Sequence, residues 1–208
     1  MANYKTVKNE AETEMIERKS RFIGYCKNVA TQEEAVEFIE KIRAMHRQAT
    51  HNVYAYVLRK DNAARYSDDG EPAGTAGVPV LEVINKEGLT DVCVVVTRYF
   101  GGILLGAGGL VRAYGKSAKL AIDDAVRVEM KECSSFLIKC DYSFYGKIEY
   151  MINTKGYILK DTSFDEEVYI TVSVPVGKEE ELQKTTADIT GGSVIAEKIA
   201  NEYISCEI

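Results

Sequence analysis

The residues of this sequence whose types and spacing could do chemistry gather in two glycine-rich runs. The first is Asp68-Asp69-Gly70-Glu71-Pro72-Ala73-Gly74-Thr75-Ala76-Gly77. Closely spaced acids of this kind offer oxygen ligands to a hard divalent cation. The spacing is not that of a calcium-binding hand, however, which needs a longer loop and a terminal bidentate Glu. The same residues are turn formers, and acids just N-terminal to a helix are favoured by its dipole. The turn-and-cap reading is preferred, and no metal is expected. The two histidines, His46 and His51, straddle a helix end and a strand start, so they are not an i, i+4 metal pair on one helix. The acid/base pairing the sequence does offer is His51 with Asp69 or Glu71. It would serve a hydrolase or transferase acting on a phosphorylated or peptide substrate.

The second run extends from Thr97-Arg98-Tyr99-Phe100-Gly101-Gly102 through Gly106-Ala107-Gly108-Gly109 to Arg112-Ala113-Tyr114-Gly115-Lys116-Ser117. It leaves an apolar strand and ends in a helix, so the free N–H groups of the helix start point back at the loop. With glycines and arginines nearby this makes an anion or phosphate seat. Two nucleotide fingerprints fail here. The dinucleotide motif needs a third glycine where Val111 stands. The phosphate loop needs a glycine where Leu110 stands, and its Gly115-Lys116-Ser117 ending falls inside the expected helix. No cofactor is therefore expected. What remains is generic: Arg112, Lys116 and Lys119 share one helix face, while Leu110, Tyr114 and Ala118 serve another. Together with Tyr99 and Phe100 that face offers charge for phosphates and rings for stacking bases. The competing reading places both rings in the core.

These runs must be held by elements that the apolar pattern supplies. Arg21–Val29 reads as a strand. Thr31 with Glu34 forms a capping box ahead of a helix over 32–45, with Ala35, Phe38, Ile39 and Ile42 on its apolar face. Asn52–Arg59 alternates like a strand. A short helix is expected over 75–86 and a buried central strand over Asp91–Thr97. A long helix then runs from Gly108 to about Asp124. This is an α+β or α/β domain with helices packed on a sheet. After a linker near Glu132–Ser135, a strand at Phe136–Cys140, a helix at Tyr145–Thr154, strands at Gly156–Thr162 and Glu166–Val174, a helix at Lys178–Ile189 and a strand at Ser193–Ile199 follow. That β-α-β-β-α-β order is the ferredoxin-like split motif. The fold class is thus α+β, with an N-terminal domain over 1–134 and a ferredoxin-like domain over 135–208.

Composition narrows the function. Hydrophobic residues make up 46% and charged residues 28%, ordinary globular usage that argues against wholesale disorder. No apolar stretch is long enough to span a bilayer, and the N-terminus lacks the apolar core of a secretory signal. The five cysteines are scattered and never spaced as Cys-x-x-Cys, which reads as reduced thiols in a cytoplasmic protein. Net charge is −6, but residues 1–134 are balanced and the acidic excess lies wholly in the last third. Between Val92 and Ile122 the charges are Arg98, Arg112, Lys116 and Lys119, with no acid among them. Any contact with RNA should then be local to the first domain; neither DNA nor membrane is an expected partner.

The stretches Asp68–Ile84 (DDGEPAGTAGVPVLEVI) and Val94–Ala118 (VVVTRYFGGILLGAGGLVRAYGKSA), with His51–Leu58 upstream, closely resemble the signature of the YigZ/IMPACT family in its bacterial two-domain form. The resemblance covers essentially the whole chain. It implies a first domain with the β/α-sandwich fold of the second domain of a small-subunit ribosomal protein, seen also in the fourth domain of elongation factor G. The second domain is similar to that factor's fifth. It further implies a non-enzymatic regulator of translational initiation, since the eukaryotic relatives counter a starvation-responsive kinase by competing for its activator protein. The partner expected for this chain is RNA, the ribosome or a translation-related protein. The motif positions carried over are Asp68, Asp69, Gly70, Glu71, Gly74, Thr75, Arg98, Tyr99, Gly101, Gly102, Gly106, Gly108, Gly109, Arg112 and Tyr114, and Lys116 joins them as a ligand-binding candidate.

Overall fold

The computed structural model describes residues 3–207. Its elements run β1 (Tyr4–Val7), β2 (Ala11–Glu17), β3 (Ser20–Asn28), α1 (Gln32–Met45), β4 (His51–Leu58), a short 3-10 turn, β5 (Ala63–Ser67), α2 (Gly77–Lys86), β6 (Val92–Tyr99) and α3 (Ala107–Asp124). There follow β7 (Arg127–Cys140), α4 (Tyr142–Lys155), β8 (Ile158–Phe164), β9 (Val168–Pro175), α5 (Glu179–Thr190) and β10 (Ala196–Glu207). Two compact units result: Tyr4–Glu129 with residues 205–207, and Met130–Ile204 with Asn3.

The first unit is built on an antiparallel sheet of order β2-β3-β6-β4-β5. β6 lies in the middle and carries the apolar run Val92–Val96, and the alternation of its side chains decides what each helix packs against. Val92, Val94 and Val96 join Phe22, Val53, Val80, Ile84, Leu110 and Tyr114 in a core with α2 and α3. Cys93 and Val95 join Ile23, Tyr25, Phe38 and Ile42 in a core with α1. A sheet covered on both faces needs apolar residues at every position, which is why this strand reads as continuous rather than alternating.

The start of α1 follows the expected cap. Thr31 Oγ1 accepts from the Glu34 N–H at 3.2 Å, while the Glu34 carboxylate accepts from the Ala30 N–H at 2.6 Å. Its buried residues are Ala35, Phe38, Ile39 and Ile42, the face expected from their spacing. In α2, Val80 and Ile84 are buried with Pro79, while Val78, Leu81 and Val83 are only partly covered. β1, β2 and β5 have no counterpart in the pattern reading. β2 (AETEMIE) is an edge strand with Glu12 and Glu14 exposed, too polar to register as a strand.

The second unit has its own core around Phe136, Ile138, Ile148, Ile152, Ile170, Val172 and Leu182. Its elements follow β-α-β-β-α-β, with β7 between β9 and β10 and β8 outside β9. The residues expected as a linker, Glu132–Ser135, lie within β7, a single strand of 14 residues. Their polar side chains obscured the strand in the sequence. The hydroxyls of Ser135 and Ser173 lie 2.8 Å apart across β7 and β9, and both are within hydrogen-bond reach of the Glu202 carboxylate.

Candidate functional site

The glycine-rich runs meet in the first unit, and the structure divides their side chains among three places. The division begins with β6. Neighbouring residues on a strand face opposite ways, so Arg98 and Tyr99 cannot serve one surface. Tyr99 packs with the α1 core, where its hydroxyl stands 2.8 Å from His46 Nδ1. The Tyr25 hydroxyl holds the other ring nitrogen at 2.5 Å. Burial lowers the pKa of this His46, which is thus a structural link between two phenols. The expected pairing of Tyr99 with the basic helix face is not formed.

Arg98 turns to the opposite face and is 5% exposed. Its Nη1 donates to Glu71 Oε1 at 2.6 Å, and the buried Tyr114 hydroxyl donates to the same oxygen at 2.7 Å. Arg98 is therefore not part of an open basic surface; its charge is neutralised internally by an acid from the other run. Desolvation, reinforced by the Glu71 carboxylate, pushes the Tyr114 phenol well up, so it stays a donor. His51 completes the group. Its Nδ1 lies 2.7 Å from the Asp69 backbone carbonyl, which only accepts, so Nδ1 carries the hydrogen. Its Nε2 stands 3.8 Å from Glu71 Oε1. His51, Glu71 and Arg98 line a cleft of about 380 Å³ walled by Thr50, Pro72, Phe100, Leu104, Leu105 and Leu110.

The acidic run is mostly scaffold. Asp68 accepts from the N–H groups of Gly74, Ala76 and Gly77 at 2.8–3.0 Å, closing the loop onto the start of α2. Burial would raise its pKa, but these three backbone donors outweigh it and hold the carboxylate below its ordinary value. The Asp69 carboxylate accepts from the Asn52 N–H at 2.6 Å and from Arg43 at 3.2 Å. An acid/base pair of His51 with the Asp69 side chain is accordingly not assembled: Asp69 orients the imidazole through its carbonyl instead. Of that alternative catalytic set, His51 and Glu71 alone face the same cleft.

The glycines serve geometry more than phosphate. A Cβ on Gly101 would fall 2.0 Å from the Lys19 carbonyl carbon, so this residue lets the loop after β6 cross the β2–β3 turn. Gly106, at φ 71°, is the residue before α3 and its carbonyl receives the N–H groups of Gly109 and Leu110. Gly102 and Gly108 meet no neighbour, and Gly109 touches Leu105.

The third place is the exposed side of α3. Arg112 and Lys116 are exposed one turn apart and pair with no acid among the described residues. Lys119, expected beside them, is instead held by Asp123 and by Glu87 at 3.3 Å. Across a groove of about 220 Å³ lined by Met15, Leu105 and Gly109 stand Glu17 and Arg18. Arg18 was missed by sequence reasoning. Its signal is the pair Arg18-Lys19 at the two-residue turn between β2 and β3, where both residues have positive φ. Among the described residues no group of three or more His, Cys, Asp or Glu is placed to hold a metal ion. No helix among them is long and apolar enough to cross a membrane.

Fold and site together define a two-domain α+β protein whose candidate surfaces all lie on the first domain. The Impact N-terminal domain model matches residues 18–122, and a domain of unknown function, DUF1949, matches residues 138–193. The chain is 44% identical over 191 residues to the IMPACT family member YvyE of Bacillus subtilis, covering 91% of this chain and 88% of that one. To the family member YigZ of Escherichia coli it is 34% identical, covering 85% and 88%. It also matches 27% of the Dictyostelium discoideum protein IMPACT homolog at 35% identity, over 43% of this chain. A crystal structure of a hypothetical protein, 31% identical, superposes with a TM-score of 0.61 over 96% of this chain and 98% of that one. The chain belongs to the IMPACT family.

Proposed function

We propose that this protein is a non-enzymatic, translation-associated regulator that docks on ribosomal RNA through the α3 groove of its first domain. The supporting observation is the state of the cations. Arg98 and Lys119 are neutralised by acids of their own chain, while Arg112, Lys116 and Arg18 form no ion pair among the described residues and outnumber Glu17, the one acid that lines their groove. Unpaired cations spaced along a helix suit a phosphate backbone, and the acidic excess of the second domain keeps such contact local. The link to translation follows from the family resemblance and gives the docking its setting.

Co-sedimentation with ribosomes and binding of ribosomal RNA across a salt series test the reading. Replacing Arg112 and Lys116 by Ala should weaken binding and lower the salt slope by about 0.7–0.9 for each phosphate no longer neutralised. An unchanged affinity and slope would sink the proposal.

A further inference from the structure

We propose that the His51–Glu71 cleft binds an amino-bearing nucleobase, with the exocyclic –NH2 donating to both side chains. The argument starts from hydrogen-bond accounting. Because His51 Nδ1 gives its hydrogen to the Asp69 carbonyl, the neutral ring presents Nε2 to the cleft as an acceptor. Glu71 Oε1, a carboxylate oxygen and also an acceptor, lies 3.8 Å from that nitrogen. Glu71 Oε1 takes both the Arg98 and the Tyr114 hydrogens, and no group among the described residues donates to its Oε2. With Oε1 filled, the acceptors left without a protein donor are His51 Nε2 and Glu71 Oε2, on two side chains that line the same cleft. An amino group at ~2.9 Å from each would satisfy both at once.

Charge and shape then choose among donors with two hydrogens on one nitrogen. Arg98 already neutralises Glu71, so a cationic ammonium would meet a guanidinium rather than an uncompensated carboxylate. A neutral amine fits better. Beyond the polar end the walls are apolar, formed by Pro72, Leu105 and Leu110, and Phe100 stands 45% exposed at the mouth. A flat aromatic amine matches these walls and can lie against the Phe100 ring, as bases do on aromatic side chains. The cleft volume of about 380 Å³ is in the range of small-ligand sites. Adenine, cytosine and guanine carry the required amino group; uracil does not. The base can come from a free nucleotide or from a strand of RNA. The inference extends the docking reading and does not depend on it, since Arg112 and Lys116 line a different groove.

The test is calorimetric titration of the full chain with adenosine monophosphate and with purine riboside monophosphate, which lacks only the exocyclic amino group. Short oligo(A) and oligo(U) strands are titrated alongside. Adenosine monophosphate should bind, and the analogue at least tenfold more weakly. His51→Ala should reduce that binding at least tenfold. Should His51→Ala melt early, Phe100→Ala, at an exposed ring whose centroid lies 5.5 Å from the Arg98 guanidinium, should still weaken the base several-fold. Binding of oligo(A) over oligo(U), without binding of the free nucleotide, supports the site with RNA as the source. Equal affinity for nucleotide and analogue, equal affinity for the two strands, or no binding of either adenine probe overturns the assignment. A flattened salt slope in the Arg112 and Lys116 variants leaves these titrations untouched, so the two proposals fail separately.

Discussion

Consider cutting the ion pair at the centre of the cleft. Arg98 and Glu71 have side chains only 6% and 4% exposed and meet at 2.6 Å. Replacing Glu71 by Gln leaves a guanidinium in a nearly dry setting, with one neutral amide oxygen where a carboxylate stood. Breaking a buried pair in this way costs about 3–5 kcal/mol. Replacing Arg98 by Met strands the carboxylate instead, with the Tyr114 hydroxyl as its remaining donor at 2.7 Å. That single change should cost about the same, eased by a charge-assisted hydrogen bond of ~1.5–3 kcal/mol. The double variant removes both charges and buries a thioether against the Phe22 ring, where the guanidinium now lies 5.5 Å from the centroid. It should recover at least ~2 kcal/mol relative to the sum of the singles. The chain has two units, so a single global unfolding curve would mix them. Amide hydrogen exchange at Val94 and Val96 of β6 reports the first unit alone, because both are fully buried in its central strand. Single variants that each cost below ~1 kcal/mol, or energies that add within ~0.5 kcal/mol, would refute the claim that this pair acts as one desolvated unit.

Two further outcomes follow from the geometry. Gly101→Ala should destabilise the first unit by ~1–3 kcal/mol, since its Cβ would meet the Lys19 backbone at 2.0 Å; Gly108→Ala, with open space around it in α3, should stabilise by up to ~1 kcal/mol, and amide exchange at Val94 and Val96 compares the two variants within that unit. The Lys160 ammonium and the hydroxyls of Ser135 and Ser173 hold Glu202 down at about 2, from an ordinary 4.5. A depressed carboxylate contributes stability that is present above the unfolded value and lost as pH falls through the folded one. The second unit should therefore weaken progressively between about pH 4.5 and pH 2, and Glu202→Gln should flatten that acid limb as read by amide hydrogen exchange at Ile170 and Val172, both fully buried in that unit's core; an identical acid limb in both proteins would count against the assignment.

Much of this organisation was legible in the sequence because it rests on local rules. The capping box at Thr31, the apolar face of α1, the buried run of β6 and the β-α-β-β-α-β order of the tail depend on propensity and period, which neighbouring residues alone carry. The turn-and-cap reading of the acidic run was legible for the same reason, because Asp68 closes a loop onto residues only six to nine positions ahead. Polar strands escaped: β2 takes its order from pairing with β3 along seven residues, and that partner is not visible in its own pattern.

The sequence by itself determined which residues are available for chemistry, the glycines between them and the family to which they point. Only the tertiary structure decided how those residues are used. Arg98 and Tyr99 are neighbours in the chain, yet the pleat sends one to Glu71 and the other to His46. Lys119 shares a helix face with Lys116, yet Glu87 at the far end of α2 claims its charge. Asp69 sits beside the histidine it was expected to serve, yet contributes a carbonyl while its carboxylate holds Asn52 and Arg43. Charge and hydrogen-bonding capacity are properties of a residue, but whether they are spent inside or left facing a groove depends on partners that are 27 to 53 residues distant for Arg98 and Tyr99. Those pairings exist only once the sheet has closed.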